Sequence, residues 1–121
     1  MTGALDVDAL LANAGEDPAL ADEVLGLFAE QAALWLRLLD GADAAGGFRD
    51  AAHTLKGAAL GVGAAALAEA CGRAEAGADS PAAVRAVLAG RVRDEADRAL
   101  TDAAAWRHEQ LLRSLKTPAG G

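Results

Sequence analysis

Apolar residues recur along the chain at intervals of three and four, and Val, Ile and Thr are too few to line several strands, so pattern and propensity predict helices rather than strands. Asp6 is placed to cap a short first helix carrying Leu10 and Leu11, and Gly15 supplies its stop. Asp17-Pro18 restarts the chain as N-cap and first helical residue. Leu20, Val24, Leu27, Phe28, Leu34, Trp35 and Leu38 then give a second helix a broad apolar face up to Gly41. In the third helix, Phe48, Ala52, Leu55, Ala59 and Val62 form one stripe about 80° wide at roughly 100° per residue. Gly46-Gly47 either opens this helix or lies just before it; Gly61 and Gly63 close it. A fourth helix over about residues 64–76 turns Leu67, Cys71 and Ala74 inward and ends in segment 77–80. Ser80-Pro81 starts the last helix by the same cap logic. Val84, Leu88, Val92, Ala96, Ala99, Ala103 and Trp106 carry its apolar face to about Leu115, with Gly90 the one place where it could bend.

Short connections between successive amphipathic helices make them antiparallel neighbours. The fold expected is therefore all-α: helices two to five as an up-down-up-down four-helix bundle, the short first helix capping one end and the last helix the longest. At 121 residues, 53% of them hydrophobic, the chain suffices for one core, so residues 1–116 read as a single domain and the Gly/Pro-containing residues 117–121 as a flexible tail. A formal charge of −7 argues against nucleic acid as a partner, because a phosphate backbone is held by clustered lysines and arginines. Cys71 is the only cysteine, which rules out an intrachain disulfide and reads as a small core residue. Asp6 and Asp8 stand where a secretory leader would be basic, and the longest apolar run, residues 58–68, is too short and glycine-broken to span a membrane. A cytoplasmic, monomeric protein is expected.

The third helix carries the chemistry. His53 lies roughly 140° from the middle of the apolar stripe, so its ring should reach solvent. Arg49, Lys56, Gly57 and Leu60, at i−4, i+3, i+4 and i+7, are its neighbours on the helix surface. An exposed imidazole can act as a nucleophile near neutral pH and carry a covalent group. Lys56 offers positive charge to an incoming phosphoryl group, and Arg49 is a second cation on the other side; Arg49, Gly57 and Leu60 are the candidate docking positions, Gly57 leaving a bare backbone on which a second protein can close and Leu60 offering an exposed apolar contact. No GxxxxGK[ST] loop and no kinase or hydrolase signature accompanies them, so the chain has nothing with which to bind a nucleotide or run a reaction alone.

The pattern His53-x-x-Lys56-Gly57, preceded by Ala52 and followed by Ala58, Ala59, Gly61, Val62, Gly63, Leu67 and Cys71, resembles the histidine-containing phosphotransfer (HPt) domains of multistep two-component signalling. The resemblance implies that His53 accepts a phosphoryl group on Nε2 from a receiver-domain aspartate and passes it to another receiver, making the chain a relay without kinase activity of its own. It also implies that Lys56 supports the phosphate and that Gly57 leaves room for docking. The partners implied are receiver domains of response regulators, with a hybrid histidine kinase among the candidates. No cofactor is expected in this chain, the Mg²⁺ of the transfer belonging to the receiver. The family often has a glutamine 22 residues after the histidine; here that position is Glu75, which by helical projection can face either His53 or Lys56 and serve as a support.

Other signals are weaker. Gly61-x-Gly63-x-x-Ala66 fits a dinucleotide fingerprint in form, but no strand precedes it. His108 sits among Arg107, Glu109 and Gln110 on a charged turn and reads as an idle surface histidine. The two histidines are too far apart for a metal pair. The rival reading keeps the bundle but uses the His53 face only for binding, as a scaffold; a third has the last helix pairing between two chains.

Overall fold

Two aspartates start the first two helices of the computed structural model, which describes residues 3–42 and 44–116. The Asp6 carboxylate accepts a hydrogen bond from the Ala9 N–H (3.1 Å) at the head of α1 (Val7–Asn13). Gly15 and Glu16 take left-handed φ values of 65° and 61°, turning the chain into Asp17. The Asp17 carboxylate then caps α2 (Pro18–Asp40) by accepting from the N–H groups of Ala19 and Leu20, with Pro18 in the first turn. Helix α3 (Ala45–Gly61) takes both Gly46 and Gly47 into its first turn, and Gly63 (φ 77°) redirects the chain into α4 (Ala65–Ala76). The last helix, α5 (Ala82–Lys116), passes Gly90 without a break. It begins one residue later than the pattern predicts: the Pro81 carbonyl accepts from the Val84 and Arg85 N–H groups, so Pro81 rather than Ser80 stands at the cap. The expected flexible tail, 117–121, lies outside the described residues.

Helices α2 to α5 form a closed ring in which each packs on its two neighbours. Asp22 pairs with Arg107 while Asp40 pairs with Arg93, so α5 descends as α2 rises. Helix α1 closes one end. The Asp6 N–H donates to the Gly63 carbonyl (2.8 Å), Asn13 Nδ2 donates to the Gly61 carbonyl (3.3 Å), and the Leu5 N–H donates to Asp102 on α5 (3.2 Å). The expected four-helix bundle with a capping first helix is the fold observed.

The core is built from alanine as much as from large residues. Phe28, Phe48, Leu10, Leu25, Leu55, Leu67 and Val92 are fully buried, each stabilising by about 1.5–3 kcal/mol. Between them lie Ala21, Ala32, Ala52, Ala59, Ala74, Ala96, Ala99 and Ala103, whose single methyl groups let the helices approach closely. The stripe predicted on α3 is buried throughout, as are Leu67, Cys71 and Ala74 of α4. The predicted face of α2 needs correction: Phe28 is buried and Val24 and Trp35 are partly so, but Leu20, Leu27, Leu34 and Leu38 are exposed. Alanines at 21 and 32 occupy the inward positions instead, and the leucines lie roughly 100° around the helix from them. Val84, expected inward on the last helix, is also exposed, since α5 begins only two residues before it and its first turn has no buried residue.

Candidate functional site

Helix α3 presents His53 because Phe48, Ala52, Leu55 and Ala59 hold the opposite face in the core; the His53 side chain is 67% exposed. Its ring is nevertheless fixed. Nδ1 lies 2.7 Å from Glu75 Oε2 on α4, and the other oxygen of that carboxylate accepts a hydrogen bond from Lys56 Nζ at 2.8 Å. The spacing left open whether Glu75 faces His53 or Lys56; it holds both. The carboxyl is kept below its ordinary value of 4.5, first by the hydrogen bond from Lys56 and then, against some desolvation, by the bond to His53. An ionised carboxylate can only accept, so the proton between the two groups sits on Nδ1. The lone pair of the neutral ring is then on Nε2, at the edge turned away from Glu75.

Antiparallel packing of α3 on α4 explains the pairing. One step of four residues back along α3 and four forward past α4 leads from the His53–Glu75 pair to the next, Arg49–Asp79, an ion pair of 2.9 Å. Arg49, expected beside the site as a second cation, is paired with this carboxylate. Asp79 was missed by sequence reasoning, although it is one turn beyond Glu75 and so opposite Arg49 once the register of the two helices is known. In the other direction the aliphatic stem of Lys56 runs over Gly72, close enough that a Cβ there would lie 3.8 Å from Lys56 Cδ.

Gly57 has open space where a side chain would stand, as has Gly61 one turn on, and Leu60 is 59% exposed between them. The surface beyond His53 is thus flat backbone with one apolar projection. Beneath it, Cys71 is buried and its thiol is pushed up to about 12, mainly by desolvation, with Lys56 lowering and Glu75 raising it. His108 is exposed on the last turns of α5 and takes no part in the site. Among the described residues there is no cluster of His, Cys, Asp and Glu able to hold a metal ion. No helix among them is long and apolar enough to cross a membrane.

An exposed imidazole with one nitrogen held by a carboxylate and the other open is equipped to take and release a group. Comparison with known families agrees: residues 9–106 match the model of the Hpt domain. The chain belongs to the Hpt domain family. Among solved structures, this Hpt domain is similar to a histidine phosphotransferase, ShpA from Caulobacter crescentus, at 51% sequence identity over 94% of this chain and 100% of that one, with a TM-score of 0.77. No curated protein matches it. As an Hpt domain the chain is a phosphotransfer module of a phosphorelay, and the scaffold reading is not favoured.

Proposed function

We propose that His53 is the phosphoacceptor and that Lys56 and Glu75 serve it in different ways. The Nε2 lone pair attacks the phosphorus of an aspartyl phosphate on a receiver domain. The N–P bond forms as the P–O bond breaks, and the carboxylate leaves with the electron pair. The Nδ1 proton stays where it is, so the ring takes on positive charge, and Glu75 is the anion already bonded to that edge. Return of the group to a second receiver is the same step reversed. Lys56 is the cation nearest the ring, able to exchange its bond to Glu75 for one to a phosphoryl oxygen. A divalent cation supplied by the receiver would offset the charge on the transferring group during the step. Gly57, Leu60 and Arg49 line the docking surface, Arg49 through its ion pair with Asp79. The fold and this site are complete in one copy of the chain; receivers of response regulators are the partners, with a hybrid histidine kinase among the sources of phosphate.

The observation that carries this reading is the 2.7 Å contact between Nδ1 and Glu75, which leaves Nε2 as the free nucleophile. The test is to incubate the chain with a panel of phosphorylated receivers and map any acid-labile, base-stable phosphate. His53→Gln should abolish labelling while folding stability changes by no more than about 0.5 kcal/mol, the side chain being exposed. Label on the variant at wild-type level overturns the assignment.

A further inference from the structure

A phosphoryl group on Nε2 leaves the ring with a second nitrogen, Nδ1, whose proton is either kept or lost. Nδ1 lies 2.7 Å from Glu75 Oε2. At that distance a proton has to stand between the two atoms, because a bare ring nitrogen and a carboxylate oxygen would set lone pair against lone pair. Glu75 is ionised through the neutral range, since Lys56 first and His53 after it hold its carboxyl below the ordinary value. Nor is the carboxylate free to turn aside: its other oxygen accepts from Lys56 Nζ at 2.8 Å, and the Lys56 stem runs over Gly72. If Lys56 moves to a phosphoryl oxygen, the Nδ1–H is the donor that this carboxylate retains. The other charges around the ring do not compete for the proton. On α3, Arg49 is paired with Asp79 of α4, Asp50 is an exposed anion one turn before His53 and favours a protonated ring, and Lys56 opposes it. On α4, Glu69 and Arg73 pair with each other, and Cys71 beneath is a neutral thiol. On α2, the other helix packed against α3, Asp22 and Asp40 are paired with α5, while Glu23, Glu30 and Arg37 form no ion pair with α3 among the described residues.

We propose that Glu75 keeps the Nδ1 proton on the phosphorylated ring, so that His53 carries its phosphoryl group as an imidazolium and hands it on without drawing a proton from water. The proposal rests on His53 being the phosphoacceptor. In the transfer out, a carboxylate oxygen of the receiver attacks phosphorus; the O–P bond forms as the N–P bond breaks, and the electron pair of the N–P bond returns to Nε2. With the Nδ1 proton retained, the ring leaves as neutral imidazole, already the tautomer that accepts the next group. Without it, the ring has to leave as an imidazolate anion, a far poorer leaving group, or wait for a proton from solvent. Glu75 is thus a positioning residue that acts through the ring and touches neither phosphorus nor the attacking oxygen. The activated N–P bond that speeds transfer also shortens the life of the phosphohistidine in water, which suits a carrier between two receivers rather than a store.

The test takes the full chain, ¹⁵N-labelled in its imidazoles and phosphorylated by a receiver that is then removed, at about pH 8, well above the ordinary range of an imidazole. The phosphorylated ring of the wild type should show a proton on Nδ1. In Glu75→Gln, whose amide can turn either its oxygen or its NH₂ to the ring, that proton should be largely lost. Transfer from the phosphohistidine to a fresh receiver should be about tenfold slower in the variant at this pH, the effect of removing one opposite charge in contact with the ring. The difference should narrow as the pH falls toward about 6, where the variant's ring regains its proton. Because both proteins meet the same receiver, its own titration cancels in the ratio of their rates. A wild-type phosphorylated ring without the Nδ1 proton at the higher pH overturns the proposal. So does a rate ratio that stays constant with pH, which would leave Glu75 a purely structural support. Either result leaves phosphorylation of His53 standing, whereas no label on His53 overturns the phosphoacceptor reading and this proposal with it.

Discussion

His53 and Glu75 stand 22 residues apart in sequence and are joined by a 2.7 Å contact between Nδ1 and Oε2. The contact decides which ring nitrogen reacts, because a carboxylate has no proton to give and Nδ1 must supply it. The neutral ring should accordingly be the Nδ1–H tautomer, visible as an unprotonated Nε2 in ¹⁵N spectra of the imidazole. Glu75→Ala should mix the two tautomers and slow phosphoryl acceptance about tenfold, while Glu75→Gln, which keeps an oxygen acceptor but no charge, should fall between. An unchanged tautomer in Glu75→Ala would reduce Glu75 to a partner of Lys56 alone.

The same carboxylate makes the site sensitive to acid. Its folded-state pKa is depressed, chiefly by Lys56. A depressed carboxylate contributes stability that is present above the unfolded value and lost as pH falls through the folded one. The window therefore lies below the ordinary value of 4.5. In denaturation curves measured across that range, the wild type should lose stability relative to Glu75→Gln as pH falls, and the change should level off once Glu75 is protonated, because the glutamine does not titrate. Parallel curves for the two proteins would show that the clamp contributes nothing to folding.

Cys71 lies fully buried beneath this site with its thiol raised to about 12, so at neutral pH it is neither exposed nor a thiolate. Alkylation by iodoacetamide should be undetectable in the native protein and complete in denaturant. Cys71→Ser buries a hydroxyl where a thiol sat and should destabilise by about 1–3 kcal/mol unless the hydroxyl finds a partner, whereas Cys71→Ala should cost less. Rapid native alkylation would mean that α4 opens locally.

The α3 stripe and both aspartate caps were legible in the sequence because each depends on residues within a turn or two of one another. Glu75 was half legible: its distance along the chain pointed to the neighbourhood of His53, but only the register of α3 against α4 shows that one carboxylate serves two partners. Arg49–Asp79 was invisible for the same reason. Helix α2 was misread because its apolar residues cover more than one face, and hydrophobicity favours leucine over alanine for the core. Close packing favours the reverse at Ala21 and Ala32, where the neighbouring helices leave room for a methyl group and no more.

Gly57 and Gly63 should respond oppositely to the same substitution. At Gly57 an added Cβ meets nothing within 4 Å, and the residue is inside α3, so Gly57→Ala should raise stability by up to about 1 kcal/mol through helix propensity. At Gly63 φ is +77° and a Cβ would stand 2.7 Å from the Asp6 carbonyl, the point where α1 is tied to the bundle. Gly63→Ala should cost about 1–3 kcal/mol by thermal or urea denaturation. The functional contrast runs the other way: Gly57→Gln should weaken receiver binding in a fold that remains intact. Normal receiver binding by Gly57→Gln would remove the docking role of that position.

Lys56 has two acceptors to choose between once the ring is phosphorylated. In the unmodified protein its Nζ is bonded to Glu75 at 2.8 Å and its side chain is one-third exposed, so binding of an unmodified domain to a receiver should barely change when it is removed. A phosphoryl group brings close to two negative charges to the ring edge one turn away, and an ammonium drawn to it makes a charge-assisted bond of about 1.5–3 kcal/mol. Lys56→Ala should therefore slow transfer to and from His53 by about tenfold or more and shorten the lifetime of the phosphohistidine. Lys56→Arg should keep part of the effect, since charge survives while the planar guanidinium cannot take the same position over Gly72. Lys56→Ala also frees Glu75 to hold Nδ1 alone, so the tautomer of the unphosphorylated ring should not change in that variant. A time course of labelled phosphate with one receiver, run on wild type and both variants, separates the roles. Equal rates and lifetimes in all three would leave Lys56 as an anchor for Glu75 with no part in holding phosphate.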